Sequence, residues 1–167
     1  LVALFCCHNA SFAQKEFVNT SVRLSGHPRI LLQKGEEKAL KKVIMKDAVW
    51  KDIHQSLVDE AGEIVKLPLN ERIKTGRRLL SVSRENLRRI FILSYAYRMT
   101  GKSEFLKRAE SEMLKAASFS DWNPSHFLDV GEMTMALAIG YDWLYPQLSV
   151  QTKREIENAI VEKGLKP

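Results

Sequence analysis

From residue 35 onward, apolar residues recur at the three- and four-residue spacing of amphipathic helices. No stretch shows the alternation of apolar and polar residues that is typical of a strand. The pattern predicts an all-α fold. Six helices are expected: residues 35–46, residue 48 to just before Pro68, Ser83 to Thr100, a helix from Ser103, residues 125–144, and a helix from Ser149 to Gly164.

Helix ends and buried faces follow from the same pattern. Asp47, Ser83, Ser103 and Ser149 are suited to be N-caps, and Gly101 and Gly164 to be stops. The predicted inward-facing residues, taken helix by helix, are Trp50, Ile53, Leu57, Ala61 and Ile64; Leu87, Ile90, Phe91, Ser94 and Tyr95; Leu106, Ala109, Met113 and Leu114; and Ile156, Ala159 and Ile160.

The predicted connections are short, apart from the polar stretch 69–80, which contains Gly76 and which we interpret as a loop. Helices joined in pairs by short turns favour antiparallel αα-hairpins. Such hairpins stack into a solenoid or curl into a toroid. The absence of a fixed-length repeat makes a solenoid the weaker interpretation.

The amino-terminal segment is typical of an exported protein. The apolar run 1–7 is followed by Ser11-Phe12-Ala13, with small residues where signal peptidase reads them. We interpret residues 1–13 as a signal peptide remnant, 14–34 as an extended lead-in and 35–167 as a helical domain, and we expect a periplasmic or secreted protein. A lipoprotein interpretation fits poorly, because Phe5 precedes Cys6. Both ends indicate a fragment that continues beyond residue 167.

The composition narrows the range of binding partners that we expect. The formal net charge is +6, and both cysteines lie in the segment assigned to the signal. A basic surface attracts polyanions. Because the chain is expected to be exported and has no nucleic-acid motif, we expect the polyanion to be an acidic polysaccharide rather than nucleic acid. The same charge also fits a protein that binds no polyanion. No run is long enough to span a membrane. We expect no metal and no cofactor.

The densest polar and aromatic chemistry lies in residues 121–145. His126, Asp129 and Glu132 are three residues apart, so on a helix they project from one side. Structural roles compete with binding roles here: Asp129 suits the first turn of a helix, and Glu132 either pairs with a basic neighbour or faces a cavity. His27 and His54 receive no role. The substrate-binding candidates are Trp122, Asn123, His126, Glu132 and Trp143.

Several segments, in order, resemble the amino-terminal helical region of heparinase II/III-like polysaccharide lyases. They are 27–32 (HPRILL), 77–80 (RRLL) with 83–85 (SRE), 96–101 (AYRMTG) and 121–145. The resemblance implies an incomplete (α/α) toroid, followed by a β-sandwich, that cleaves uronate-containing polysaccharides by β-elimination. In that family the catalytic asparagine, histidine and tyrosine lie mostly beyond the matched region, so we expect them after residue 167 and expect this chain alone to be inactive.

Two alternatives stay open. One is a non-catalytic helical domain that binds glycans or proteins. The other is a toroid glycoside hydrolase acting on unsaturated uronides, which needs two carboxylates flanking the glycosidic bond. Asp129 and Glu132 share one helix, so attack from opposite faces by this pair is disfavoured.

Overall fold

The computed structural model describes residues 26–167. The predicted signal remnant at 1–13 and the lead-in up to residue 25 lie outside this range. The helices are α1 (Glu37–Lys46), α2 (Ala48–Lys66), α3 (Leu80–Thr100), α4 (Ser103–Ala117), α5 (Phe127–Leu144) and α6 (Val150–Ala159), and a π-helical turn (Ile160–Leu165) continues α6. Over residues 26–167 there is no strand, only one bridge between Thr75 and Arg78. The predicted all-α fold is confirmed.

Helix α3 is the centre of the structure and packs against α5, α4 and α2. Its last residue is followed by Gly101, whose φ of 74° is the left-handed conformation that glycine adopts without strain. The chain therefore turns back within two residues, and α4 packs on α3 as the predicted hairpin. In the part of the chain that the structure covers, no helix is both long enough and apolar enough to cross a bilayer.

The core lies between α3, α4 and α5, where Ile90, Met113 and Leu137 are fully buried. A Cβ at Gly140 of α5 would lie 2.5 Å from the Met113 sulfur and 2.6 Å from Ile90 Cγ2. Helix α5 therefore approaches its neighbours as closely as its small residues predict. Of the residues expected to fill the core, Met113 is buried, whereas Leu87 and Phe91 are only half-buried.

Two predicted N-caps are confirmed and two are wrong. Asp47 accepts hydrogen bonds from the backbone nitrogens of Val49 and Trp50, and Ser149 accepts one from that of Thr152. Helix α3 instead begins at Leu80, three residues before Ser83, and Ser103 is the first residue of α4 rather than its cap. The earlier start of α3 has a tertiary cause, because the backbone nitrogen of Leu79 donates to the carboxylate of Asp129 on α5, at 2.8 Å.

Two further expectations need correction. Trp50 and Ile53 are each 47% exposed, because only the carboxyl-terminal half of α2, with Ala61 and Ile64, is buried. Gly164 is buried inside the π-helical turn rather than ending the helix. A Cβ there would lie 2.5 Å from Thr134 Oγ1 and 3.1 Å from the Trp122 ring. This glycine is required by close packing.

A buried ion network fixes the loop between α2 and α3. Glu112 of α4 is fully buried, and its Oε1 accepts hydrogen bonds from Arg89 at 3.1 Å and from Arg108 at 2.7 Å. The same two guanidinium groups donate to the carbonyl of Pro68. A buried carboxylate is tolerated when it is paired and hydrogen-bonded in this way. The network joins α3, α4 and the start of the loop.

Candidate functional site

The amino-terminal end of α5 is tied to the start of α3 through Asp129. This carboxylate is fully buried, and its Oδ2 accepts hydrogen bonds from Leu79 N at 2.8 Å and from Asn123 Nδ2 at 2.7 Å. The Asn123 amide also donates to the carbonyl of Arg77. Asp129 occupies the first turn of α5, as its helix-dipole role predicts. Its further function here is structural, since it satisfies a backbone donor at the start of α3.

Glu132, one turn further along α5, also faces α3. Its carboxylate accepts a hydrogen bond from Ser83 Oγ at 2.6 Å and lies 3.3 Å from Arg84 Nε, with 16% of its side chain exposed. Of the two possibilities foreseen for this residue, pairing with a basic neighbour is the one observed. The pair sits at the edge of the seam between the two helices.

Trp122 and Asn123 do not border an open surface. Trp122 is completely buried, and its indole nitrogen donates to the carbonyl of Ala116; Asn123 is 2% exposed. As substrate-binding candidates these two residues need correction, because the indole is sealed in the core and the amide of Asn123 donates to Asp129. His126 precedes the first turn of α5 and is half-buried, with its Nδ1 3.3 Å from Ser125 Oγ.

The five candidate residues do not form one site. His126 and Trp143 lie at opposite ends of α5, an 18-residue helix, and at 1.5 Å per residue this separates them by about 25 Å. Trp143 lines a cavity, although only 4% of its surface is exposed. The residues that accompany it come from the segment around His27 and from the last turns of α3.

Asp142 holds the segment around His27 against the carboxyl-terminal end of α5. This side chain is 1% exposed, and its Oδ2 accepts hydrogen bonds from the backbone nitrogens of Arg29 and Ile30 at 2.8 and 2.9 Å. Its Oδ1 lies 2.5 Å from His27 Nδ1. Since a carboxylate can only accept, Nδ1 carries the proton, and over residues 26–167 the Nε2 of His27 has no hydrogen-bonding partner.

Aromatic rings surround this imidazole. His27 stacks on Tyr145 with ring centres 4.1 Å apart, and the edge of Tyr141 lies beside it. The hydroxyl of Tyr141 donates to Glu157. Burial, reinforced by that carboxylate, raises the pKa of Tyr141 far above its usual value. Tyr141 therefore stays protonated and is no proton acceptor near neutral pH.

Arg98, in the last turn of α3, fixes the other side of the same segment. Its guanidinium donates to the carbonyls of Leu32 and Gln33 and to the carboxylate of Glu37, and it lies 5.0 Å from the centre of the Trp143 ring. Burial acts to raise the pKa of Glu37, but the hydrogen bond and charge of Arg98 outweigh it, so this pKa lies below its usual value. The charge of Arg98 is thus already neutralised by a partner.

These residues border an open cavity of about 290 Å³, which we call the Trp143 pocket. Ring surfaces and polar groups both line it. Lys34 is exposed, and within residues 26–167 it forms no ion pair. The lining residues are His27, Pro28, Lys34, Glu37, Tyr97, Arg98, Gly101, Trp143, Pro146 and Gln147.

The pocket brings together groups of several chemical kinds. An imidazole protonated on Nδ1 can accept a proton on Nε2. β-Elimination also requires neutralisation of the uronate carboxylate and a proton for the leaving oxygen. Among the residues that line the pocket, Lys34 is a cation without an ion-pair partner, and Tyr97 carries a hydroxyl group. Because the resemblance implies that the catalytic residues lie after residue 167, we assign these residues contacts with a ligand and no chemical step.

His27 is the residue that the sequence interpretation missed. Its partner Asp142 lies 115 positions away, so no local motif joins them. The available signal was the sequence His27-Pro28-Arg29 together with an acidic residue at the end of a largely apolar helix.

Comparison with known proteins found no protein-family model and no curated protein that matches this chain.

Proposed function

We propose that this chain is the amino-terminal helical part of an exported polysaccharide lyase that cleaves uronate-containing polysaccharides by β-elimination, and that the Trp143 pocket is one of its sugar-binding subsites. The observation that carries the subsite is that aromatic side chains, among them His27 and Tyr97, line one cavity together with the unpaired cation Lys34. Apolar ring faces suit the C–H faces of a sugar, and Lys34 suits its carboxylate.

The geometry of the pocket walls supports a binding role. Trp143 Nε1 donates to the carbonyl of Ile30 at 2.8 Å, and Lys34 N donates to that of Pro28 at 3.0 Å. Together with the Asp142 and Arg98 contacts, these bonds hold the segment 27–34 in one conformation. A pre-organised wall binds a ligand without first losing conformational entropy.

The wider activity rests on the resemblance to heparinase II/III-like proteins, on the all-α hairpin architecture and on the signal-like sequence before residue 14. The catalytic asparagine, histidine and tyrosine of such a lyase are expected after residue 167. The same pocket serves equally well in a non-catalytic glycan-binding domain, and product formation by the longer protein separates the two. The hydrolase alternative loses support, because the buried Asp129 is already committed to Leu79 and Asn123.

Calorimetric titration of the chain with uronate tetrasaccharides tests the proposal. Alginate, chondroitin and heparan fragments are the probes, each paired with its carboxyl-reduced, neutral counterpart. We expect one of the acidic fragments to bind and its neutral counterpart to bind at least about tenfold more weakly, because one charge-assisted contact is lost. Lys34→Gln should reproduce that loss.

Lys74→Gln is the matched control, since Lys74 is also exposed and lies in the loop between α2 and α3. It should leave the affinity unchanged. Equal binding of the acidic and neutral fragments, or equal losses for the two lysine variants, would remove the uronate subsite. Unsaturated uronate released by this chain alone would contradict the placement of the catalytic residues beyond it.

A further inference from the structure

One face of α1 is strongly basic. Lys38, Lys41, Lys42 and Lys46 are exposed and follow the spacing i, i+3, i+4 and i+8, which places them on one side of a helix. Met45, 76% exposed, lies among them. These five residues are the α1 basic face. The opposite side of the helix carries Leu40 and Ile44 and packs on the protein.

The acidic residues beside this face are engaged elsewhere. Glu37 pairs with Arg98, Glu36 accepts a hydrogen bond from Gln33 N, and Asp47 caps α2. None of the four lysines of the face forms an ion pair within residues 26–167. By contrast, Lys115 on α4 and Lys166, which follows the π-helical turn, are both paired with glutamates. The positive charge of α1 is therefore left uncompensated.

The α1 basic face begins next to the Trp143 pocket. Lys34 lines the pocket, and Lys38 follows it by four residues, with Glu37 of the pocket wall in the first turn of the same helix. From Lys38 to Lys46 the lysines cover about 12 Å of helix. A row of cations that starts at a pocket suits a ligand longer than the pocket.

We propose that the α1 basic face is a second binding surface, which holds the stretch of an anionic polysaccharide that extends out of the Trp143 pocket. The proposal rests on the proposed function, because it takes the uronate chain as the pocket ligand. Charge complementarity selects the partner. The contacts are between lysine ammonium groups and the carboxylates or sulfates of successive sugars, so they depend on charge density and on salt.

Other polyanions fit this face less well. A helix that lies in an anionic membrane inserts a continuous apolar face, whereas Leu40 and Ile44 are turned toward the protein core and Met45 stands among the lysines. Single-stranded nucleic acid is held by stacking on aromatic rings between the cations, and the five residues of the face include no aromatic residue. An extended, charged sugar chain needs neither feature.

Binding of long and short polymers by matched variants of this chain tests the surface. The face variant carries Lys38→Gln, Lys41→Gln, Lys42→Gln and Lys46→Gln. The control carries Lys74→Gln, Arg77→Gln, Lys107→Gln and Arg154→Gln, four exposed cations of other segments, so both variants lose the same charge. The probes are a polyuronate of about fifty sugars and its disaccharide, at low and at physiological salt.

The face variant should bind the long polymer about tenfold or more weakly at low salt, from the sum of four weak surface contacts. It should bind the disaccharide as the unmodified chain does, and the control should match the unmodified chain with both probes. Equal losses in the two variants would overturn the surface. Stronger binding of phosphatidylserine vesicles or of DNA than of polyuronate, lost in the face variant, would overturn the assigned partner.

The outcome also separates this surface from the pocket. If Lys34→Gln weakens disaccharide binding while the face variant binds the long polymer normally, the pocket stands and the surface is wrong. If the face variant loses the polymer while Lys34→Gln changes nothing, the lysines of α1 bind the polymer, but the uronate subsite and the path of the polymer out of the pocket are wrong. If the unmodified chain binds neither probe, both are wrong.

Discussion

Nδ1 of His27 lies 2.5 Å from Oδ1 of Asp142, although the two residues are 115 positions apart in the chain. The second oxygen of the same carboxylate accepts hydrogen bonds from the backbone nitrogens of Arg29 and Ile30. One buried carboxylate therefore determines where the segment 27–30 docks. The wall of the Trp143 pocket depends on this contact.

Asp142→Ala should lower the free energy of unfolding by about 3 kcal/mol, because it leaves two backbone donors and an imidazole without their acceptor. Asp142→Asn should cost clearly less. The amide oxygen can accept from the backbone, and the amide nitrogen can donate to His27 if the imidazole proton moves to Nε2. Urea unfolding measures both. Asp52→Ala, at an exposed site on α2, is the control and should cost nothing; equal costs for Asp142→Ala and Asp52→Ala would show that the carboxylate anchors nothing.

Gly164→Ala should destabilise the fold by about 1–3 kcal/mol, because the new methyl group meets Thr134 Oγ1 and the Trp122 ring. Gly131→Ala is the matched control in α5, where a Cβ meets no atom within 4 Å. There the change should stabilise the helix by about 0.5–1 kcal/mol. Thermal unfolding distinguishes the two signs.

Adding Thr134→Ala to Gly164→Ala should recover part of the loss, since it removes the nearest obstructing atom. If the double variant is no more stable than Gly164→Ala, the stability lost at position 164 comes from the π-helical backbone and not from contact with α5.

Glu132 and Ser83 should show a coupling of about 1–2 kcal/mol in a double-mutant cycle of Glu132→Gln and Ser83→Ala, because the hydroxyl donates to a charged acceptor. Met113→Ala, at a fully buried site, should cost about 2–5 kcal/mol and provides the scale. Additive costs for Glu132→Gln and Ser83→Ala would show that the two side chains act independently. The glutamate would then be free for a ligand.

Stability should decrease in acid through the Glu37–Arg98 pair. The pKa of Glu37 is lowered from 4.5 in the folded protein, so the pair stabilises the fold fully above about pH 4.5 and this contribution is lost as the pH falls through the lowered folded pKa. Glu37→Gln should flatten the acid side of a plot of unfolding free energy against pH. Glu63→Gln, at an exposed pair with Lys66, should leave the slope unchanged; identical slopes for the unmodified chain and Glu37→Gln would contradict the assignment.

Helical periodicity predicted the elements well, because α1, α2, α4 and α6 each bury one face, whereas α3 and α5 are buried on several sides. The errors arise where a distant residue decides the outcome. Helix α3 begins early because Asp129 accepts from Leu79, and Gly164 is small because Thr134 and Trp122 press against it. Neither contact leaves a trace in local spacing.

The candidate site was harder to predict than the fold. A polar and aromatic cluster in the sequence marked both ends of α5, but spacing alone could not show that Trp122 is sealed in the core or that Glu132 already has partners. Trp143 lines a cavity, and its predicted role in substrate binding stays a prediction. Its neighbours His27 and Lys34 come from a segment more than a hundred positions earlier, and only folding brings them together.

Nitrogen-edited NMR tests most directly whether the Trp143 pocket binds a uronate sugar. A uronate tetrasaccharide that binds in calorimetry is added to the chain, and the changes in amide chemical shift are mapped onto the structure. We expect the largest changes at His27, Lys34, Tyr97 and Gln147. Residues at the other end of α5, Asn123, His126 and Glu132, should not shift. Changes centred on the amino-terminal end of α5, with none at the Trp143 pocket, would contradict sugar binding in the pocket.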